Sequence, residues 1–196
     1  IHAVNIREPM KAAFFSKEQG FKAIHNIGPC NNPMVRAGFK DTTLQGYTET
    51  SKTQTLTFRE EAINNNRQSV KINAHAKVSS IMIGSLAANS SVDYAKHLLD
   101  KDYDHIFIFG GLNDRIAQGI ENLLEKYGPL EQARIRQKLI LLPPQSDIEM
   151  APIMARSNCV IIRGGGLSVM EQMAIPIMQD KTVLIHHEDT INGSLT

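Results

Sequence analysis

The sequence predicts an α/β protein built on a doubly wound parallel sheet, Rossmann-like in layout. Three observations predict it. Short unbroken apolar runs recur near residues 78–83, 104–109, 138–142, 159–162 and 182–185, and runs of that length suit strands covered on both faces. Helical patterns with one apolar side separate them. The loops between are short and carry glycine, proline, serine or asparagine. Strands alternating with helices over roughly 110 residues read as βαβ units, with ligands expected beyond the carboxyl ends of the strands.

The elements follow in chain order. Residues 6–19 predict a short helix that accepts Pro9 in its first turn. Residues 21–27 predict a strand and 28–33 a turn-rich loop. From 38 to 57 the chain is polar and threonine-rich, alternating weakly at its end, which predicts an exposed loop or edge. Thr57 and Glu60 fit a capping box, which predicts a helix over 58–73. Residues 78–83 form the next strand, then the loop 84–89 and an amphipathic helix, 91–101, with Val92, Ala95, Leu98 and Leu99 on one side. A strand over 104–109 runs into Gly110 and Gly111; the helix 114–127 buries Ile116, Ile120, Leu123 and Leu124. The strand 138–142 stops at Pro143 and Pro144, and Ser146 caps a helix reaching Ala155.

With 196 residues the expectation is one domain over 1–196, its core near 76–190 and a leading segment over 1–75. The chain starts at Ile1 rather than Met and ends abruptly at Thr196, as a piece of a larger two-domain protein would. Apolar residues make up 42% and charged residues 21%, ordinary globular material. A net charge of +1 gives no footprint of a nucleic-acid binder. Cys30 and Cys159 are far apart and outside any metal-ligand spacing, so a reducing, cytoplasmic setting is the simpler reading. No secretory signal and no membrane-length apolar run stand in the sequence.

The stretch from Asn158 to Pro176 carries the chemistry. An apolar strand is followed by Arg163, three glycines (Gly164, Gly165, Gly166) and a helical pattern over 167–174. Strand, glycine turn and helix together point backbone N–H groups and the helix dipole at one spot, and glycine lets an anion approach closely. This predicts a cradle for a nucleotide diphosphate. The same residues also have ordinary readings: a plain αβ connection for the glycines, a capping box for Ser168 with Glu171, and a surface charge for Arg163. Four loops, 84–89, 110–113, 143–146 and 163–168, are expected on one rim around the site. Asp100, Asp102 and Asp104 imitate a D-x-D metal motif but fall between a helix end and a strand start, the wrong edge. His186 and His187 are neighbours on a strand and point to opposite faces, so they do not share one ion.

These residues resemble the C-terminal, donor-binding half of GT-B glycosyltransferases. The nearest likeness is to the group of the bacterial N-acetylglucosaminyl transferase of peptidoglycan synthesis and plant monogalactosyldiacylglycerol synthase. That group shows Ser-Asp and a helix, an apolar strand, then R-S-G-A/G-L-T-V-x-E. Here Ser146-Asp147 is followed by the strand and RGGGLSVME, Arg163 to Glu171. Gly84-Ser85-Leu86 is similar to the group's G-G-S loop, and the segment from Ile27 to Phe39 is similar to its G-x-P-V-R…F segment. The resemblance implies that Gly165, Gly166, Leu167 and Ser168 hold the diphosphate, with Arg163 and Ser85 near the phosphates. It implies that Glu171 accepts both ribose hydroxyls, and that backbone around Leu142, Pro143 and Gln145 reads the base. The implied ligand is a nucleotide-diphosphate sugar, UDP first and GDP second, used without a metal or other cofactor. The implied partner is an N-terminal half that brings the acceptor and the catalytic base; a lipid acceptor would draw the protein to a membrane surface. A sugar epimerase or hydrolase of the same fold, and a binding module without chemistry, are the rival readings. The group's Pro and Gln pair that touches the donor sugar has no counterpart in HHEDTINGSLT.

Overall fold

The computed structural model describes residues 2–4 (backbone only), 35–61, 66–84, 87–110, 113–176 and 180–187. The expected helix over 6–19, strand over 21–27 and turn over 28–33 lie outside the described residues. Among the described residues there are eight strands: β1 His2–Val4, β2 Gln54–Arg59, β3 Arg67–Ile72, β4 Val78–Met82, β5 His105–Phe109, β6 Leu139–Leu142, β7 Cys159–Arg163 and β8 Thr182–His186. The helices are α1 Ala88–Asp100, α2 Asp114–Leu124, α3 Pro129–Lys138, α4 Asp147–Arg156 and α5 Gly166–Ala174.

The main sheet runs β1-β8-β7-β4-β5-β6, with β4 to β8 parallel and β1 antiparallel on the β8 edge. Numbered along the chain, the five parallel strands lie in the order 3-2-1-4-5, the Rossmann order. The order reverses between β4 and β7, which are hydrogen-bonded neighbours, Ser79 opposite Cys159 through Met82 opposite Ile162. The crevice for a ligand in such a sheet opens at that reversal, past the carboxyl ends.

Alternation along the strands sorts the core into two layers. Ile161 of β7 faces a cluster built with Ala95 and Leu98 of α1, Ile116 and Ile120 of α2 and Ile135 of α3. Its neighbours Val160 and Ile162 face Met154 and Ala155 of α4 and, from the leading segment, Phe39 and Leu44. Both faces of the sheet are therefore covered, which is why its strands read as continuous apolar runs.

One expectation is corrected, and two stretches carry structure that the sequence did not announce. The described residues of 58–73, namely 58–61 and 66–73, are not a helix. They belong to the β2–β3 hairpin, with Leu56, Phe58 and Ile72 buried against Phe107, Leu142 and Ile153. Two inward residues spaced by two outweigh a capping-box pattern, and Glu60 instead accepts from Gln68 across the hairpin at 3.0 Å. Residues 38–57 are mostly exposed, as the sequence predicts, but they are not all loop. They hold two 3-10 segments, Ala37–Lys40 and Thr42–Thr48, with Phe39 and Leu44 buried. Each such burial is worth about 1.5–3 kcal/mol, enough to hold a polar stretch against the sheet. Gly38 is needed there: a Cβ would stand 2.7 Å from the Asp147 backbone. Lastly, α3 was not expected, because Ile135 is its one buried residue.

Candidate functional site

The loop between β6 and α4 is built first. Ser146 caps α4, and Glu149 reaches back to accept from the Ser146 N–H at 2.9 Å. Glu149 is buried and also meets Arg59 Nε at 3.1 Å and Arg67 Nε at 3.3 Å. Burial alone pushes its carboxyl up, but the Ser146 hydrogen bonds and Arg59 outweigh that and hold it below the usual range. Gln145 ties the same loop to the hairpin: its Oε1 accepts from Arg59 N–H at 2.8 Å, and its Nε2 donates to the carbonyls of Arg59 and Pro143, each at 3.0 Å. The hairpin thus clamps the loop that was expected to read a base.

That loop walls a cavity of about 790 Å³ over the carboxyl ends of β4, β5 and β6. Met82, Phe109, Pro143, Pro144 and Met150 give it apolar walls, and Asn113, Asp114 and Arg115 give it a polar corner at the start of α2. Asn113 is bound into the helix cap, its Oδ1 accepting from Arg115 N–H at 2.9 Å. The size and mixed lining suit a flat organic group with a few polar atoms.

The glycine turn stands beside this cavity rather than in its wall. Gly165 is the N-cap of α5, with φ −76°, and its N–H bonds Arg163 O at 2.7 Å. A Cβ on Gly165 would meet nothing within 4 Å, so neither its backbone angle nor packing demands glycine. Helix first-turn N–H groups have no partner within the helix, and those of Gly166, Leu167 and Ser168 stand at the end of the strand where the sheet order reverses. Arg163 is exposed at the end of β7, in register with His186 of β8. Tyr94 of α1 reaches His186 Nδ1 at 3.3 Å.

Each expected residue therefore has a place. Pro143 and Gln145 line the cavity, while Leu142 is buried beneath it and accepts from Gly110 N–H at 3.2 Å. Arg163, Gly165, Gly166, Leu167 and Ser168 form the neighbouring turn. Ser85 lies outside the described residues. The Ser168–Glu171 capping box is not formed, because α5 begins three residues earlier than that box requires, with Gly165 as its cap and no side-chain capping bond. Glu171 is instead buried and ion-paired with Arg36, Nε to Oε1 2.5 Å. Arg36, Phe109, Arg115 and Met150 were not singled out from sequence; Arg36 at least stands inside the segment ending at Phe39.

Asp100, Asp102 and Asp104 sit at the amino edge, where Asp104 Oδ2 accepts from Lys77 N–H at 2.8 Å. Among the described residues no three His, Cys, Asp or Glu gather as metal ligands would. No helix among them is long and apolar enough to cross a membrane. No protein-family model matches the chain, and neither does any curated protein or solved structure.

Proposed function

We propose that this chain binds a nucleotide-diphosphate sugar, UDP-linked first and GDP-linked second, as the donor half of a metal-independent glycosyltransferase of GT-B type. The observation that carries the reading is Gly165, a glycine that the fold does not need, at the cap of α5 and beside the reversal of strand order. A close ligand is a physical reason for a bare backbone there. The adjoining cavity supports the same reading. Strand neighbours lie about 4.8 Å apart, so a group over β5 is roughly 10 Å from β7, a gap that a ribosyl diphosphate bridges.

In this reading the base enters between Phe109, Pro143 and Met150, and the diphosphate meets the α5 N-terminus. Charge that develops on the leaving diphosphate is held by N–H groups and the helix dipole, already oriented before reaction. Glu171 keeps lone pairs for a ribose hydroxyl beside its bond to Arg36. Arg36, 40% exposed against 1% for Glu171, is the partner with room to swing aside. The acceptor and the general base come from another half of the protein.

The test incubates the chain with radiolabelled UDP- and GDP-sugars and candidate acceptors, beside the full-length parent. The reading expects transfer by the parent and none by this chain alone, since no base from a second half stands within about 3 Å of an acceptor hydroxyl. Transfer by this chain at the parent's rate would refute it. Release of labelled free sugar from the nucleotide without any acceptor would favour a hydrolase.

A further inference from the structure

The amino edge of the sheet, opposite the candidate site, carries a second cavity of about 440 Å³. Three pieces of chain wall it: the turn 73–76 between β3 and β4, the last turn of α3, and the start of β5. Arg134 and Lys138 enter from α3, His75 from the turn and His105 from β5. Asp104 is the carboxylate of this lining, and its Oδ2 is already engaged by Lys77 N–H. Arg134 meets Glu131 at 3.3 Å in an exposed pair, which water screens heavily. Lys138 has no carboxylate partner among the described residues.

Behind this wall Arg156 is fully buried. Its Nη2 donates to Ala76 O at 2.8 Å, and its Nε finds no acceptor. His105 Nδ1 is also buried without a hydrogen-bond partner. That nitrogen is closed to solvent, so it belongs to the packed wall and is not open to a ligand; the His105 ring otherwise lines the cavity. His75 is held in the left-handed region, φ 64°, with its N–H on Thr50 O at 2.7 Å. Such strained non-glycine residues concentrate at binding sites. Basic residues in a last turn answer the helix dipole. That accounts for Arg134 and Lys138 alone, and not for two histidines and a strained turn in the same cavity.

We propose that this cavity binds a phosphomonoester of sugar size. Its phosphate sits among Lys138, Arg134 and His105, and its hydroxyls meet the amides of Asn73 and Gln137. The cations outnumber the carboxylate, which selects an anion, and the volume exceeds what inorganic phosphate fills. Burial pushes the His105 imidazole below its ordinary value; Asp104 pulls it up, and Arg156 and Lys138 push it further down. A bound phosphate opposes those two cations and raises it again.

The experiment follows the imidazole resonances of the full chain by NMR while glucose 6-phosphate is added at constant ionic strength. Inorganic phosphate and glucose are separate arms. The expected result is a saturable shift of His105 and His75 with the ester, no saturation with glucose, and at least tenfold weaker binding of inorganic phosphate. Lys138→Gln weakens the ester at least tenfold while its thermal melt and its response to UDP stay at the parent's values. Arg134→Gln gives a second reading of the same loss should Lys138→Gln fold poorly. No saturable shift with the ester, equal affinity for ester and inorganic phosphate, or unchanged ester affinity in the folded variants would overturn the proposal. None of these results depends on whether UDP binds at the carboxyl edge.

Discussion

Arg36 Nε donates to Glu171 Oε1 across 2.5 Å, fastening the leading segment to the helix that follows the glycine turn. The guanidinium also lies 5.4 Å from the Phe39 ring centre, so a cation–π contact adds to its hold. Glu171 is thus both a fold residue and the proposed ribose carboxylate. Glu171→Gln keeps its size and one acceptor oxygen. We expect it to weaken UDP binding by about 1.5–3 kcal/mol while the chain stays folded. Calorimetric titration beside thermal melts decides this, and unchanged affinity removes Glu171 from the site.

Gly165 offers a cleaner separation of fold from function. Serine is at least as good an N-cap as glycine, and its Cβ would enter open space. Gly165→Ser should therefore leave the melting temperature level or slightly raised. If a diphosphate packs on that backbone, the same Cβ should weaken UDP at least tenfold, on the order of 1.4 kcal/mol. Equal affinity for parent and variant would place the phosphates elsewhere.

Much of this was legible in the sequence, for identifiable reasons. The central strands β4, β5 and β7 are buried on both faces, β6 and β8 are half-buried, and all five announce themselves as apolar runs. The Ser146 cap could be read because a helix with apolar residues such as Met150, Ile153 and Met154 follows it; the return bond from Glu149 was not read. The same S/T-x-x-E pattern at Thr57 misled, because Leu56 and Phe58 face inward with period two and the partner strand RQSVKI is mostly polar. At Ser168 the pattern was the ordinary alternative to a phosphate cradle, and it does not form because the helix starts at Gly166. Helix α3 left no stripe to read, with Ile135 alone inside. The Gln145 clamp and the Arg36–Glu171 pair join residues 86 and 135 positions apart, and no local pattern encodes such pairings.

Lys181 sets a pH dependence of stability. It is buried, with Nζ donating to Met154 O at 2.6 Å. Burial pushes its ammonium from 10.5 down to about 7, with Cys159 pulling weakly the other way. Between those values the unfolded chain binds more protons than the folded one, so stability rises with pH. The Cys159 thiol, raised by burial from 9.0, opposes this only once the unfolded thiol ionises. From about pH 7 to about 8.5, urea midpoints should climb, by at most about 1.4 kcal/mol per pH unit. Lys181→Met should flatten the slope. A slope that persists in that variant assigns the effect to another group.

The most direct test of the account is calorimetric titration of the purified chain with UDP, and then GDP, in buffer containing EDTA. We predict saturable one-to-one binding of UDP with a Kd of roughly 10–500 μM, weak because the contacts of a closed two-half site are missing. Absence of saturable heat with both nucleotides at millimolar concentration, or binding that appears only when magnesium or manganese replaces EDTA, would contradict it.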